Sequence, residues 1–344
     1  GCLVLRLPVA VPRERAGGDA AGAAPLIAAT ALDCGYNQPI LGKVRDMTHE
    51  DIVVVAVDGS PASDNAVRWA ANTAMKRDIP LRLAASYSMP QFLYAEGMVP
   101  PSEVFDEMQR ETLQTVDRAR EIALEVAPDL RIGHAVAEGS PIDMLLEMSR
   151  DCTMVVMGSR GLSGLSGMVL GSVSGAVVSH AYCPVVVVRE DNAVTEATKY
   201  GPVVVGVDGS EVSRRATEVA FEEAAARGAE LVAVHTWVDT QIQGPGAGYA
   251  VSEDHWNAVQ AEKDELLGTY LGELSEKYPD VVVKKTITRD RPVRALASAA
   301  EGAQLLVTGS HGRGGFKGML LGSTSRALLQ QAPCPMMVVR TQDS

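Results

Sequence analysis

The chain has 344 residues, of which 46% are apolar and 22% charged, a composition normal for a globular protein of two domains. A formal net charge of -12 argues against a general nucleic-acid-binding role. The five cysteines contain no CxxC pair and no zinc-ligand spacing, which argues against a disulfide framework and a metal site. No stretch approaches the length of a membrane-spanning helix. We therefore predict a cytoplasmic protein that binds neither nucleic acid nor membrane.

The amino-terminal segment is unlike the rest of the chain. Residues 1–46 are rich in Ala, Gly, Pro and Arg and show no sustained hydrophobic period. We predict a disordered extension over residues 1–50, with the native protein starting near Met47. A cleaved export signal is the alternative, but Arg6 interrupts its apolar core and Ala31–Cys34 is a poor lipoprotein cleavage box.

In the first half of the remaining chain, strand and helix signals alternate. The predicted strands are Ile52–Val57, Leu81–Tyr87, Arg131–Ala137, Met154–Met157 and Val185–Arg189. The predicted helices run from Ser63 to Arg77 with Ser63 as N-cap, from Ser102 to Val126, from Ser140-Pro141, and from Gly171 to Tyr182. Alternating strands and helices predict a parallel sheet with helices on both faces.

The second half repeats this order from Val203 to Arg340, and three motifs occur twice in one register, about 150 residues apart. They are DIVVVAVDGS at Asp51–Ser60 and PVVVGVDGS at Pro202–Ser210, MGSRG at Met157–Gly161 and TGSHG at Thr308–Gly312, and CPVVVVR at Cys183–Arg189 and CPMMVVR at Cys334–Arg340. We predict an α/β chain of two tandem Rossmann-like domains, residues 51–190 and 202–341. A short polar linker, residues 191–201, separates them, so the domains should pack as a pseudo-dimer.

Each unit has a glycine-rich loop after its fourth strand. Gly158 and Gly161, then nine residues, then Gly171-Ser172, recur as Gly309, Gly312 and Gly322-Ser323. Glycines let successive N–H groups converge on one point, and Gly-Ser opens a helix whose free N–H groups favour an anion. The loops could be simple turns, but their repeated spacing favours a phosphate site. Arg160 in the first unit, and His311 with Arg313 and Lys317 in the second, could add positive charge.

The Asp-Gly-Ser sequence after the first strand of each unit has two interpretations. Asp58 and Asp208 could close a turn or cap the following helix. Because ligands of such sheets bind beyond the carboxyl ends of the strands, these aspartates could instead meet a ribose hydroxyl or an adenine edge. We favour the second interpretation.

Together, the Val-Asp-Gly-Ser strand ends, the G-x2-G-x9-G-S loops and the Cys-Pro-Val-Val-Val strand resemble the universal stress proteins over residues 50–341, in their tandem, actinobacterial, ATP-binding form. The resemblance implies an adenine nucleotide alpha hydrolase-like fold with strand order 3-2-1-4-5 in each unit and ATP between strands one and four. It also implies pairing of the last strands, Val185–Val188 and Met336–Val339, in a homodimer or pseudo-dimer. The implied first site comprises Val57, Asp58, Ser86, Met157, Gly158, Arg160, Gly161, Gly171, Ser172, Val173 and Ser174. The implied second site comprises Val207, Asp208, Thr236, Thr308, Gly309, His311, Gly312, Gly322, Ser323, Thr324 and Ser325.

Conventional catalysis is poorly supported by the sequence. There is no G-x-x-x-x-G-K-[ST] loop, no G-x-G-x-x-G fingerprint and no catalytic constellation tied to the glycine loops. We predict an ATP-binding stress-response regulator with slow or no hydrolysis, acting through its own assembly or an unknown protein partner. A slow Mg²⁺-dependent ATPase or phosphotransferase, with Asp58 or Asp208 holding the metal through water, and an AMP- or cyclic AMP-binding module are the alternatives. The more basic second loop predicts tighter ATP binding in the second site.

Overall fold

The computed structural model describes residues 4–5, 50–88, 102–161, 170–192, 200–237, 253–312 and 320–341. Most of the predicted extension and of the predicted linker lies outside these ranges, so those two assignments stay predictions. Two residues of the extension, Val4–Leu5, form a short strand, β1.

Both halves of the chain alternate strands and helices, as the sequence predicts. The first half contains β2 (Glu50–Ala56), α1 (Pro61–Arg77), β3 (Leu81–Tyr87), α2 (Ser102–Val126), β4 (Ile132–Glu138), α3 (Pro141–Met148), β5 (Cys152–Gly158), α4 (Ser172–His180) and β6 (Val185–Val188). The second contains β7 (Val203–Gly206), α5 (Glu211–Arg227), β8 (Leu231–Thr236), α6 (Glu253–Lys277), β9 (Val283–Thr288), α7 (Pro292–Ala299), β10 (Leu305–Gly309), α8 (Ser323–Gln331) and β11 (Met336–Val339).

All described strands belong to one sheet, in the order β1-β4-β3-β2-β5-β6-β11-β10-β7-β8-β9. Each half contributes five parallel strands in the predicted order 3-2-1-4-5, and β1 adds a parallel edge strand beside β4. The halves meet where β6 pairs antiparallel with β11, with Val186 opposite Met337. The last strands of the two halves therefore pair with each other within a single chain, and the predicted oligomeric state stays a prediction.

The continuous apolar strands are explained by burial on both faces of the sheet. Val53 and Val55 of β2 pack into one apolar core with α1 and α2. Ile52 and Val54, which alternate with them, pack into the opposite core with α3 and α4. The second half repeats this division, so one wide sheet separates two helical layers.

The start of α1 differs from the prediction. Ser60, rather than Ser63, is the N-cap, and its side chain accepts a hydrogen bond from the Ser63 amide. Pro61 follows in the first turn, where its missing N–H leaves no helical bond unmade. The helix therefore begins two residues before the predicted start and immediately after the Asp-Gly-Ser turn. In the second half Ser210 caps α5 in the same way.

Candidate functional site

The carboxyl ends of β2, β3 and β5 and the start of α4 surround a cavity of about 620 Å³ in the first domain. This is the edge of the sheet where strand order reverses between β2 and β5. All eleven first-site residues inferred from the sequence line the cavity. They are Val57, Asp58, Ser86, Met157, Gly158, Arg160, Gly161, Gly171, Ser172, Val173 and Ser174.

Asp58 is held in position by the turn that follows it. Its Oδ1 accepts hydrogen bonds from the amide of Ser60 at 3.0 Å and from the Ser60 hydroxyl at 2.7 Å. Gly59 between them has φ of +78°, a left-handed conformation that favours glycine. The other carboxylate oxygen, Oδ2, lies against Gly161, where a Cβ would collide with it. The two loops therefore fit together only because position 161 lacks a side chain.

The glycine loop ends at a helix start that has no side-chain cap. The Gly171 amide donates to the Ser159 carbonyl at 2.7 Å, and Gly171 is also the N-cap of α4, where it has no side chain to accept from the first amides. The Ser174 hydroxyl donates to the Gly158 carbonyl at 2.7 Å. Ser174 thus fixes the glycine loop to the helix, and the first turn of α4, the positive end of its dipole, borders the cavity.

The second domain repeats these contacts. Asp208 Oδ1 accepts from the amide and hydroxyl of Ser210 at 2.9 and 2.7 Å, and a Cβ on Gly312 would collide with its Oδ2. The Gly322 amide donates to the Ser310 carbonyl at 2.7 Å, and α8 begins without a side-chain cap. The same contacts therefore constrain the loop geometry of both halves.

The remaining second-site residues lie at the corresponding places. Val207 follows β7, Thr236 ends β8, Thr308 precedes Gly309 at the end of β10, and Ser323, Thr324 and Ser325 form the first turn of α8. Ser325 donates to the Gly309 carbonyl at 2.7 Å, as Ser174 does to Gly158 in the first domain.

The structure describes some of the basic residues of the two glycine loops and not others. His311 stands where the first domain has Arg160, and its Nδ1 lies 3.0 Å from the Ser310 hydroxyl. Arg313 and Lys317, on which the predicted tighter second site depends, lie outside the described residues. That asymmetry therefore stays a prediction.

Eight cavity-lining residues escaped the sequence analysis. They are Ala56, Ser63, Ala84, Ala85, Pro141, Met144, Leu145 and Leu170. Met144 and Leu145 are buried among the core residues, yet they also form part of the cavity wall. Since α3 follows β4 at the carboxyl edge of the sheet, its first turns had to lie beside the site, and the Ser140-Pro141 helix start was the available signal.

Two properties of the described part of the chain bear on the function. None of its helices is both long and apolar enough to cross a membrane. Within the same residues, no group of three or more His, Cys, Asp and Glu side chains could hold a metal ion.

The fold and the paired loops define a tandem, doubly wound α/β protein with a glycine loop at the carboxyl edge of each half-sheet. Residues 50–189 and 199–340 each match the universal stress protein family. The chain belongs to this family and contains two of its domains in tandem.

Relatives in mycobacteria share this tandem organisation. The chain is 39% identical over 303 residues to universal stress protein Rv1996 of Mycobacterium tuberculosis, covering 84% of this chain and 94% of the relative. It is 41% identical over 294 residues to universal stress protein Rv2005c of the same organism, covering 84% and 96%. A universal stress protein structure from Archaeoglobus fulgidus superposes with a TM-score of 0.60 at 20% identity, covering 86% of this chain and 99% of that one. That likeness supports the fold.

Proposed function

We propose that each domain binds one adenine nucleotide, ATP with or without Mg²⁺, and that the protein is a stress-response regulator with slow or no ATP hydrolysis. The observation that carries the proposal is the first-domain cavity. Its lining combines all eleven residues inferred for the first site with the start of α4, whose N-cap Gly171 makes no side-chain cap hydrogen bond. A nucleotide would place its phosphates at the loop and the start of α4, and its adenosine between β2 and β5.

The lining suits an amphipathic ligand. Met157, Met144 and Ala84 offer apolar contact for a base, while Asp58 offers a carboxylate oxygen beside Gly161. That oxygen fits a ribose hydroxyl or a water molecule of hydrated Mg²⁺, an ion usually held by one or two carboxylates together with phosphates. Arg160 at the same rim supplies positive charge for the phosphates.

A regulatory role is favoured because the described lining residues supply only some of the groups that fast phosphoryl transfer needs. Fast phosphoryl transfer needs positioned metal ions, a residue that orients the nucleophile and a charge clamp. Asp58 and Arg160 would supply only part of this set. Bound ATP would act by stabilising one conformation or interface over another, which requires different affinities for the two states.

The first experiment identifies the ligand. Full-length protein is purified quickly and denatured, and the released small molecules are quantified by mass spectrometry. We expect ATP at up to two molecules per chain. Recovery of AMP or cyclic AMP in place of ATP would favour the alternative binding module, and the absence of any adenine nucleotide would contradict the proposal.

The second experiment locates the ligand. Gly171→Glu and Gly322→Glu place a carboxylate at the start of α4 or α8, and each should remove one bound nucleotide in equilibrium dialysis. Gly272→Glu is the matched control, because Gly272 is exposed on α6 with no atom within 4 Å of its Cβ position. Single-turnover assays with Mg²⁺ then test hydrolysis. Turnover that disappears in Asp58→Ala and Asp208→Ala would favour the slow ATPase.

A further inference from the structure

The last strand of each domain is followed by an arginine that contacts the other domain. Arg189 follows β6 and Arg340 follows β11, and the internal repeat makes these two positions equivalent. Arg340 Nη1 donates to the carbonyl of Ser179 in α4. Arg189 Nη1 donates to the carbonyl of Gln330 in α8. Ser179 and Gln330 are each the penultimate residue of their helix, so the same interaction is made in both directions across the interface.

The helices that receive these arginines are the two that begin at the glycine loops. The first turn of α4, with Ser172 and Ser174, borders the first cavity, and α8 begins at the equivalent Ser323. The last carbonyls of a helix have no partner within it and form the negative end of its dipole. His180 ends α4, and neither helix has an arginine or a lysine in its last turn. The permanent positive charge at that end is therefore supplied by the other domain.

Arg340 is also held beside the second glycine loop. The carbonyl of the residue before it, Val339, accepts from the amide of Ser310 at 2.7 Å, at the start of the loop. The carbonyl of Leu320, near the end of the loop, accepts from Arg340 Nη1 at 3.3 Å. One guanidinium group therefore contacts the glycine loop of the second domain and the helix of the first.

Arg189 is oriented by a different contact of its own domain. Its Nε and Nη2 donate to the two carboxylate oxygens of Asp191, at 2.8 and 2.6 Å. This pairing leaves Nη1 for the Gln330 carbonyl of α8. Each arginine is thus fixed by its own domain and reaches into the other.

We propose that Arg340 and Arg189 are reciprocal positioning residues of the two candidate sites, each holding the phosphate-binding helix of the opposite domain. The inference rests on the proposed function. A helix of nine residues is only about 13 Å long, so a contact that fixes its carboxyl end also limits the movement of the amides at its start. The same dipole favours the arginine at one end and the phosphates at the other. Nucleotide affinity in each domain therefore depends on an arginine of the other domain.

The test resolves the two sites within one sample. Full-length protein is irradiated with 8-azido-ATP, a photoreactive ATP analogue, over a range of concentrations, and the labelled peptides of each domain are quantified by mass spectrometry. Arg340→Gln should raise the half-saturating concentration of the first domain at least about threefold, and by more than that of the second. Arg189→Gln should give the opposite pattern. Arg340→Lys and Arg189→Lys keep a cation that can donate, and both should stay within about twofold of the wild type.

Thr73→Val is the control for a loosened interface. It removes the hydrogen bond that Arg227 of the second domain donates to Thr73 of α1 at 2.9 Å, and it should leave both half-saturating concentrations unchanged. The inference is overturned if either glutamine variant fails to weaken labelling of the opposite domain more than of its own, or if Thr73→Val reproduces the effect. Where the wild type is labelled in one domain only, the arginine of the other domain decides. Absence of ATP-protected labelling in the wild type contradicts the proposed function itself.

Discussion

Glu223 of the second domain forms an ion pair with Arg77 of the first domain, across the interface between α5 and α1. The Glu223 side chain is fully buried, and it also accepts from Arg227 one turn along its own helix at 2.8 Å. Arg227 in turn donates to the Thr73 hydroxyl at 2.9 Å. By the internal repeat, Arg77 corresponds to Arg227 and Thr73 to Glu223. A single carboxylate, on the second domain, therefore forms ion pairs with two arginines that occupy equivalent positions of the two domains.

Removing that carboxylate should destabilise the chain strongly. Glu223→Gln preserves shape but leaves two guanidinium groups without their anion, which is expected to reduce the free energy of unfolding by about 3 kcal/mol. Urea denaturation followed by circular dichroism measures the effect. Glu107→Gln, at the exposed Glu107–Arg110 pair, is the control and should change stability by less than about 0.5 kcal/mol.

The pseudo-symmetry makes a second variant informative. Thr73→Glu combined with Glu223→Thr moves the carboxylate to the equivalent position of α1, where the same two arginines face it. We expect this double variant to recover at least about half of the stability lost in Glu223→Thr alone. A double variant no more stable than Glu223→Thr would show that the two helix positions are not equivalent for binding the two arginines.

The network should also make stability depend on acid pH. Burial alone raises the pKa of Glu223, but the charges and hydrogen bonds of Arg227 and Arg77 outweigh it, so the pKa lies below its ordinary value. A carboxylate with a lowered folded pKa contributes stability above its unfolded pKa, about 4.3, and loses it as pH falls through the folded value. The stability difference between wild type and Glu223→Gln should therefore be constant above about pH 5 and shrink below about pH 4. A difference that grows on acidification would contradict this assignment.

Gly161→Ala tests the contact between the two loops of the first site. The new Cβ would collide with Asp58 Oδ2, and because Ser60 holds the other carboxylate oxygen, the aspartate cannot move without breaking its turn. We expect ATP affinity at the first site to fall at least about tenfold, measured by calorimetry in a Gly322→Glu background. Gly133→Ala is the control, since no atom lies within 4 Å of its Cβ position. Equal affinities in the two variants would exclude a role for this contact.

The buried cysteines should be unreactive in the folded protein. Burial raises the pKa of Cys334 to about 12. The pKa of Cys183 is also raised, by its hydrogen bond with Cys152, whose sulfur is 3.6 Å away, and by burial. Because the thiolate is the reactive form, iodoacetamide at pH 8 should label Cys183 and Cys334 only when denaturant is added. Labelling of the native protein at the rate of a free thiol, followed by peptide mass spectrometry, would instead favour a redox-active role.

Local sequence determined the order of strands and helices, the repeat and eleven of the residues that line the first site. Continuous apolar strands, the glycine spacing and the Gly-Ser helix start are all patterns of a few consecutive residues. These patterns alone therefore predict that Asp58, Gly161 and Gly171 lie at the same edge of the sheet. The error at Ser63 was local as well. Ser60-Pro61 is the stronger helix start, because serine is favoured at the N-cap and proline in the first turn.

Tertiary structure decided what long-range packing controls. Arg77 and Glu223 are 146 residues apart, and nothing in their local sequences distinguishes them from solvated helix residues. The double role of Met144, in the core and in the cavity wall, likewise depends on which helix covers which strand end. The sequence therefore determined that two similar glycine loops would follow the fourth strand of each half. Only the burial and pairing of distant side chains decided how the domains are joined, because these interactions form when folding removes residues that are remote in sequence from water together.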